Sequence, residues 1–137
     1  MEGWSFGIRP DEIQSNIDEA RDNGAEIIVL LSHNGFDVDQ KLAADISGID
    51  VILTGHTHDA VPEAVRIGKT LVLSSGSHGK YLGRIDLKVE GGQVVDASST
   101  LIPVFSDVIS PDSEMTSLIS QLRAPYEAEC NLSLIHI

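Results

Sequence analysis

Two short apolar runs in this chain lead into histidines, and this arrangement constrains the fold more than any other feature of the sequence. The run 27–31 is followed by His33, and the run 51–53 is followed by His56 and His58. Continuous apolar runs of this length are typical of strands that are buried on both faces of a sheet. Strands that end in histidines at one edge of a sheet are a common way for an α/β enzyme to build a metal site.

Helix and strand signals alternate in the first part of the chain and give way to strands later. Pro10 suits a first helical turn and Gly24 suits a helix C-terminus. The resulting prediction is helices over 10–23 and 39–46, and strands over 26–31, 51–53, 70–74, 82–89 and 93–104, with a hairpin turn at 90–92. Helix-strand alternation with short connections predicts an α/β fold, and the strands from residue 70 onward are expected to be antiparallel.

A last helix is expected after Ser110, with Ser110 as its N-cap and Pro111 in its first turn. Its apolar stripe comprises Met115, Leu118, Ile119 and Leu122. Such a stripe is typical of a helix packed on its own domain, and it also fits a linker helix that leads into a second domain. The residues 130–137 have neither cap nor clear period, and we expect a non-native or truncated tail there.

Composition excludes several classes of function. The 137 residues carry a formal net charge of −12, which disfavours a nucleic-acid-binding surface. A single cysteine, Cys130, excludes an internal disulfide and a cysteine-based zinc cluster. Apolar runs are too short for a membrane span, and no signal peptide is visible at the start.

The strongest candidate metal ligands are His33, His56 and His58. A spacing of two lets the rings of His56 and His58 point the same way from extended backbone, and Gly55 allows a sharp turn and a close approach. Without neighbours of this kind, each histidine would be an ordinary polar loop residue. Their placement at the ends of neighbouring strands favours the metal interpretation.

Four further residues are weaker candidates for supporting or substrate-side roles. His78 lies in a Gly/Ser loop that either presents backbone N–H groups to an anion or forms a simple turn. Asp59 either orients an imidazole or caps a turn, and Asn34 adjoins a ligand. Arg9 either binds an oxyanion or is a solvated or helix-packing residue.

Three histidines do not complete a site for two metal ions, which also needs carboxylates, including one that bridges. The chain contains no Asp-x-His or Gly-Asn-His element upstream of these histidines. We therefore expect the catalytic residues to belong to an N-terminal half that this sequence lacks.

Three motifs together resemble the calcineurin-like metallophosphoesterase domain of the 5'-nucleotidase family. They are Leu-Ser-His-Asn-Gly at 31–35, Gly-His-Thr-His-Asp at 55–59 and Gly-Lys-Tyr-Leu-Gly-Arg-Ile-Asp-Leu at 79–87. Within that family, the segments 3–9, 55–62 and 102–107 resemble the thiosulfohydrolases of the bacterial Sox sulfur-oxidation system.

The resemblance implies a fold and a division of the chain. It implies half of a metallophosphoesterase β-sandwich flanked by helices, ending in a β-hairpin and a linker helix. Residues 1–107 would be the C-terminal part of the catalytic domain, and 108–129 a linker helix toward an absent C-terminal domain.

The resemblance also implies a chemistry. Two divalent ions, Mn²⁺ by resemblance, would be bound, one by His33 and His56 and the other by His58. The implied reaction releases sulfate from a sulfonate on a cysteine of the SoxYZ carrier protein in the periplasm. A 5'-nucleotidase or 2',3'-cyclic-nucleotide phosphodiesterase is the alternative enzyme, and an inactive fragment or binding module is the alternative outside enzymes.

Overall fold

The computed structural model describes residues 7–130, and the chain divides into two compact units, Met1–Val104 and Phe105–Ile137. The first unit contains α1 (Pro10–Asp22), β1 (Val29–Ser32), α2 (Phe36–Asp45), β2 (Val51–Thr54), β3 (Val65–Ile67), β4 (Thr70–Ser74), β5 (Tyr81–Glu90) and β6 (Gln93–Pro103). The second contains α3 (Ser113–Arg123), a 3-10 turn (Ala124–Tyr126) and α4 (Glu127–Cys130). The non-native or truncated tail predicted for residues 130–137 lies outside the described residues, except for Cys130 itself.

A four-stranded sheet in the order β1-β2-β4-β3 positions the histidines. The first three of these strands are parallel, and their register aligns Ser32 of β1 with Thr54 of β2 and Thr54 with Ser74 of β4. The carboxyl ends of the three strands therefore lie in one row at the same edge of the sheet. The predicted α/β fold is confirmed.

The hydrophobic core lies between this sheet and the two helices of the first unit. Ile52 of β2 and Val72 of β4 are both 0% exposed at its centre. The other buried members are Ile17, Leu42, Ala43, Ile46 and Ile49, with Ile13, Ile28, Leu30, Phe36 and Ile67 packed against them. Burying these side chains stabilises the placement of α1 and α2 on the sheet at roughly 25 cal/mol for each Å² of apolar surface removed from water.

The predicted burial of β1 on both faces is wrong. β1 is an edge strand that begins at Val29, and Val29 and Leu31 are 48% and 77% exposed. Only alternate residues of β1 face the helices, as expected for a strand covered on one face. An apolar run alone cannot distinguish an edge strand from a central one.

Three other features differ from the predictions. The second helix begins at Phe36 rather than at residue 39, because Gly35 and the loop around Thr57 provide its N-terminus. β3 is absent from the prediction, since three residues carry too little pattern. β4 pairs in parallel with β2 and antiparallel with β3, so the later strands are not all antiparallel.

The predicted hairpin is confirmed. β5 and β6 pair antiparallel through a turn at Gly91 and Gly92, whose φ values of 56° and 72° are those that favour glycine. Pairing of Gly83 with Leu101 and of Ile85 with Ser99 gives the strands a regular register, broken only by a shift after Lys88.

The last predicted helix exists, but its N-terminus differs from the prediction. Asp112, not Ser110, is the N-cap of α3, and its carboxylate accepts a hydrogen bond of 2.7 Å from the backbone N–H of Met115.

Within the described part of the chain, every helix is too short or too polar to cross a membrane.

Candidate metal centre

Four histidine rings lie in two edge-to-face pairs beyond the carboxyl edge of the parallel strands. The ring centroids of His33 and His56 are 5.2 Å apart, at an interplanar angle of 65°. Those of His58 and His78 are 5.6 Å apart, at 79°. All four rings are exposed to solvent. Of the three predicted metal ligands, the structure thus pairs His33 with His56, whereas His58 lies beside the weaker candidate His78.

Strand register accounts for the first pair. His33 directly follows β1, and the backbone N–H of Gly55 donates a 2.9 Å hydrogen bond to the carbonyl of Ser32. This bond extends the parallel pairing one residue past β2. It joins the backbone that carries His33 to the backbone that carries His56.

The backbone of the histidine loops is strained. Among the described non-glycine residues, positive φ occurs at Arg9 and at three of the four histidines: His56 (84°), His58 (60°) and His78 (58°). Such conformations cost on the order of 1–3 kcal/mol each and cluster at functional sites. The prediction that His56 and His58 point the same way from extended backbone is wrong, because both residues are in the left-handed region and their rings pair with different partners.

Gly55 contributes space rather than the expected sharp turn. A Cβ at this position would lie 3.1 Å from Nδ1 of His33, and the φ of Gly55 is not positive. The turn is made by His56 instead. Gly55 therefore lets the His33 ring lie directly against the loop that carries His56 and His58.

Thr57 joins the two loops, a role that no pattern in the sequence indicates. Its hydroxyl accepts a 3.1 Å hydrogen bond from the backbone N–H of Phe36 and donates to the carboxylate of Asp59. Its methyl group would lie 2.8 Å from a Cβ at Gly35, so only glycine fits there. Thr57 thereby holds the start of α2 against the loop that carries His56 and His58.

Asp59 is part of the same turn. Its carboxylate accepts from Thr57, and its carbonyl accepts from Oγ of Ser74 at 2.6 Å and from the backbone N–H of Gly76 at 2.7 Å. These contacts fix the histidine loop to the end of β4. Of the two alternatives raised for Asp59, the described contacts are those of a turn residue.

A hydrogen-bond network that sequence reasoning misses links the buried Asp39 to the two neighbours of His33 in the chain. Oδ1 of Asp39 accepts a 2.6 Å hydrogen bond from Oγ of Ser32, which in turn accepts from the side-chain amide of Asn34 at 3.0 Å. Asp39 is completely buried. The spacing of seven residues between Ser32 and Asp39 matches no sequence motif. In addition, the predicted helix begins at Asp39, where an acidic residue is common and indicates no special role.

Two other candidates have different surroundings. Nδ1 of His78 lies 2.8 Å from the hydroxyl of Ser77. Arg9 precedes α1, where its guanidinium forms an ion pair with Glu12. Among the described residues, the guanidinium of Arg9 makes this ion pair and has no contact with the histidine rings.

The donor chemistry of these rings fits a divalent transition metal. Neutral imidazole nitrogen is a common ligand for such ions, and the ring centroids within the pairs are 5.2 Å and 5.6 Å apart. Between residues 7 and 130, no three or more His, Cys, Asp or Glu side chains are grouped to hold an ion. The imidazole nitrogens are therefore donors of a suitable kind, but the described residues do not group them into a complete ligand set.

Comparison with known proteins supports the same fold. No protein-family model matches the chain. The metallophosphoesterase YunD of Bacillus subtilis is 35% identical over 91 residues, which are 66% of this chain and 20% of YunD. The sulfate thiohydrolase SoxB of Thermus thermophilus superposes with a TM-score of 0.88 at 38% identity, over 93% of this chain and 24% of SoxB.

A 5'-nucleotidase precursor of Thermus thermophilus has the same fold. Its TM-score is 0.82 at 21% identity, over 93% of this chain and 29% of that protein. The chain thus spans between a fifth and a third of the length of these proteins. The resemblance predicted from the motifs is confirmed: the chain has the fold of the 5'-nucleotidase and metallophosphoesterase superfamily and is similar to SoxB.

Proposed function

We propose that the protein carrying this sequence is a dinuclear-metal thiosulfohydrolase that releases sulfate from a cysteine-bound sulfonate on the SoxYZ carrier. The observation that carries the proposal is the similarity to SoxB, which at 38% identity exceeds the 21% found with the 5'-nucleotidase precursor over the same share of the chain. A periplasmic location and Mn²⁺ as the metal belong to the proposal.

In this proposal the chain supplies nitrogen ligands and holds them in place. His33 and His56 would bind one ion, and His58 would bind the other. Bound divalent ions would lower the pKa of a water molecule and neutralise charge on the substrate oxygens. The chain's own contribution is positional, since strand register and the Thr57 hydrogen bonds hold the rings at the sheet edge.

His78 and Asn34 have supporting roles in the proposal. The ring of His78 lies beside His58, and in the proposal it would contact a substrate held at the second ion. Asn34 adjoins His33, with its amide directed to Ser32. Arg9 is given no metal-binding or substrate-binding role in the proposal, because the described partner of its guanidinium is Glu12.

A nucleotide phosphoesterase is the second candidate. The trifunctional nucleotide phosphoesterase YfkN of Bacillus subtilis is 32% identical over 80 residues, which are 56% of this chain. A phosphate and a sulfonate both present tetrahedral oxygen faces, so the histidines alone do not distinguish the substrates.

The test uses the full-length gene product that contains this sequence, loaded with Mn²⁺. We expect sulfate release from thiosulfonate-loaded SoxYZ, with little phosphate release from AMP. The His56→Ala variant should lose sulfate release, while Arg123→Ala, in α3, serves as the folded control. Phosphate release from AMP without sulfate release would replace the proposal with the nucleotide phosphoesterase.

A further inference from the structure

One carboxylate next to the histidine loops is completely buried and only partly hydrogen-bonded. Asp39, in the first turn of α2, is 0% exposed. Its Oδ1 accepts from Ser32, but its Oδ2 has no hydrogen-bond partner among the described residues. Burial of a carboxylate costs several kcal/mol unless its partners compensate. A group kept in this position at such a cost calls for a specific role.

The hydrogen bonds of Asp39 lead to both neighbours of His33. The hydroxyl of Ser32 donates its single proton to Asp39, so its lone pairs are directed to Asn34. They accept from the backbone N–H of Asn34 at 3.3 Å and from its side-chain amide at 3.0 Å. The carboxylate therefore determines how the residues on either side of His33 are held.

We propose that Asp39 is a positioning residue, which fixes the His33 ring for metal binding through Ser32 and Asn34. The metal part of this inference rests on the proposed function. A carboxylate suits the task because charge-assisted hydrogen bonds are short and strong, and the Ser32 to Asp39 distance is 2.6 Å. The amide of Asn34 also approaches Asp39, at 3.5 Å.

A simpler explanation is that Asp39 only stabilises α2 through the helix dipole. Asp37 lies in the same first turn and is exposed, so it can supply that stabilisation without any burial. Asp37 is therefore the matched control. Removing its charge changes the helix N-terminus equally but leaves the Ser32 network intact.

The experiment compares the 137-residue chain with its Asp39→Asn and Asp37→Asn variants by NMR of the histidine rings, with and without Zn²⁺, and by thermal unfolding. Asp39→Asn keeps the shape of the side chain but removes its charge. In the metal-free protein we expect it to shift the resonances of His33 and Asn34 while those of His78 stay in place. We also expect Zn²⁺ affinity at His33 to fall roughly tenfold, the lower end of what loss of a ligand-orienting group costs. Asp37→Asn should leave the His33 and Asn34 resonances and the Zn²⁺ affinity unchanged.

Two results would overturn the inference. One is an Asp39→Asn variant whose His33 and Asn34 resonances match those of the unaltered chain. The other is a variant that shifts all four rings and lowers the melting temperature, which would show general destabilisation. If Zn²⁺ fails to perturb the rings of the unaltered chain, the metal part of this inference is overturned while the proposed function is still tested on the full-length protein, and the metal-free comparison still decides whether Asp39 positions His33.

Discussion

At the scale of single residues, the candidate centre depends on backbone conformation as much as on ligand type. His56, His58 and His78 all have positive φ, which non-glycine residues rarely adopt. The sequence predicts the ligand residues from their positions after apolar runs. It does not predict their left-handed conformation, because φ follows from contacts such as that of Thr57 with Phe36, which join loops 21 residues apart.

Gly55 provides a test at this scale. In Gly55→Ala, the new Cβ would lie 3.1 Å from Nδ1 of His33, so the ring must move by a few tenths of an ångström. We expect Zn²⁺ binding at His33 to weaken roughly tenfold, with a small loss of stability, because the φ of Gly55 is not positive. Ring NMR and thermal unfolding measure the two effects.

Gly24→Ala is the matched control for Gly55→Ala. Gly24 follows α1 with a φ of 91°, and no atom lies within 4 Å of the Cβ that alanine would add, so the cost is backbone strain alone, about 1 kcal/mol. Its unfolding temperature should fall while the His33 resonances stay unchanged. Unaltered His33 resonances and Zn²⁺ binding in Gly55→Ala would contradict the steric role assigned to Gly55.

At the scale of secondary-structure elements, β1 and β2 have similar sequences but different environments. Ile52 of β2 is completely buried in the core, whereas Leu31 of β1 is 77% exposed. The apolar runs predict both strands, and the structure contains both. The apolar runs do not indicate which of the two strands is more buried, because burial depends on which strands lie on either side of each.

The difference predicts opposite outcomes for two truncations in the 137-residue chain. Ile52→Ala should lower the free energy of unfolding by about 2–5 kcal/mol, the usual cost of a large-to-small change in a core. Leu31→Ala should change it by less than about 0.5 kcal/mol, as at other exposed sites. Urea unfolding measures both, and a Leu31→Ala loss comparable with that of Ile52→Ala would show that β1 is covered in solution.

At the scale of the whole molecule, the described chain offers imidazole pairs without the carboxylates that complete a site for two ions. The motifs predict the superfamily, which the structural comparisons confirm, and the expectation that the catalytic residues lie elsewhere stays a prediction. The fold places the imidazole pairs at the sheet edge, but activation of water by metal ions requires a full ligand set.

We therefore expect the 137-residue chain on its own to bind divalent metal weakly and to hydrolyse neither thiosulfonate nor AMP. Titration with Mn²⁺ or Zn²⁺ and assays of sulfate and phosphate release test this. Robust turnover that is abolished by His56→Ala would show that the chain contains a complete catalytic site.

The pairing of Ser32 with Thr54 has a consequence for how errors in folding would affect the centre. Ile52 and Leu30 are adjacent in that same register, and Ile52 is fully buried. A slip of one residue between β1 and β2 would shift His33 by about 3.3 Å along the sheet edge and turn the half-buried Leu30, which packs against the core, to the opposite face. A chain with misaligned rings would therefore also have lost the packing of Leu30 on the core, so the strand register that packs the core also sets the positions of His33 and His56.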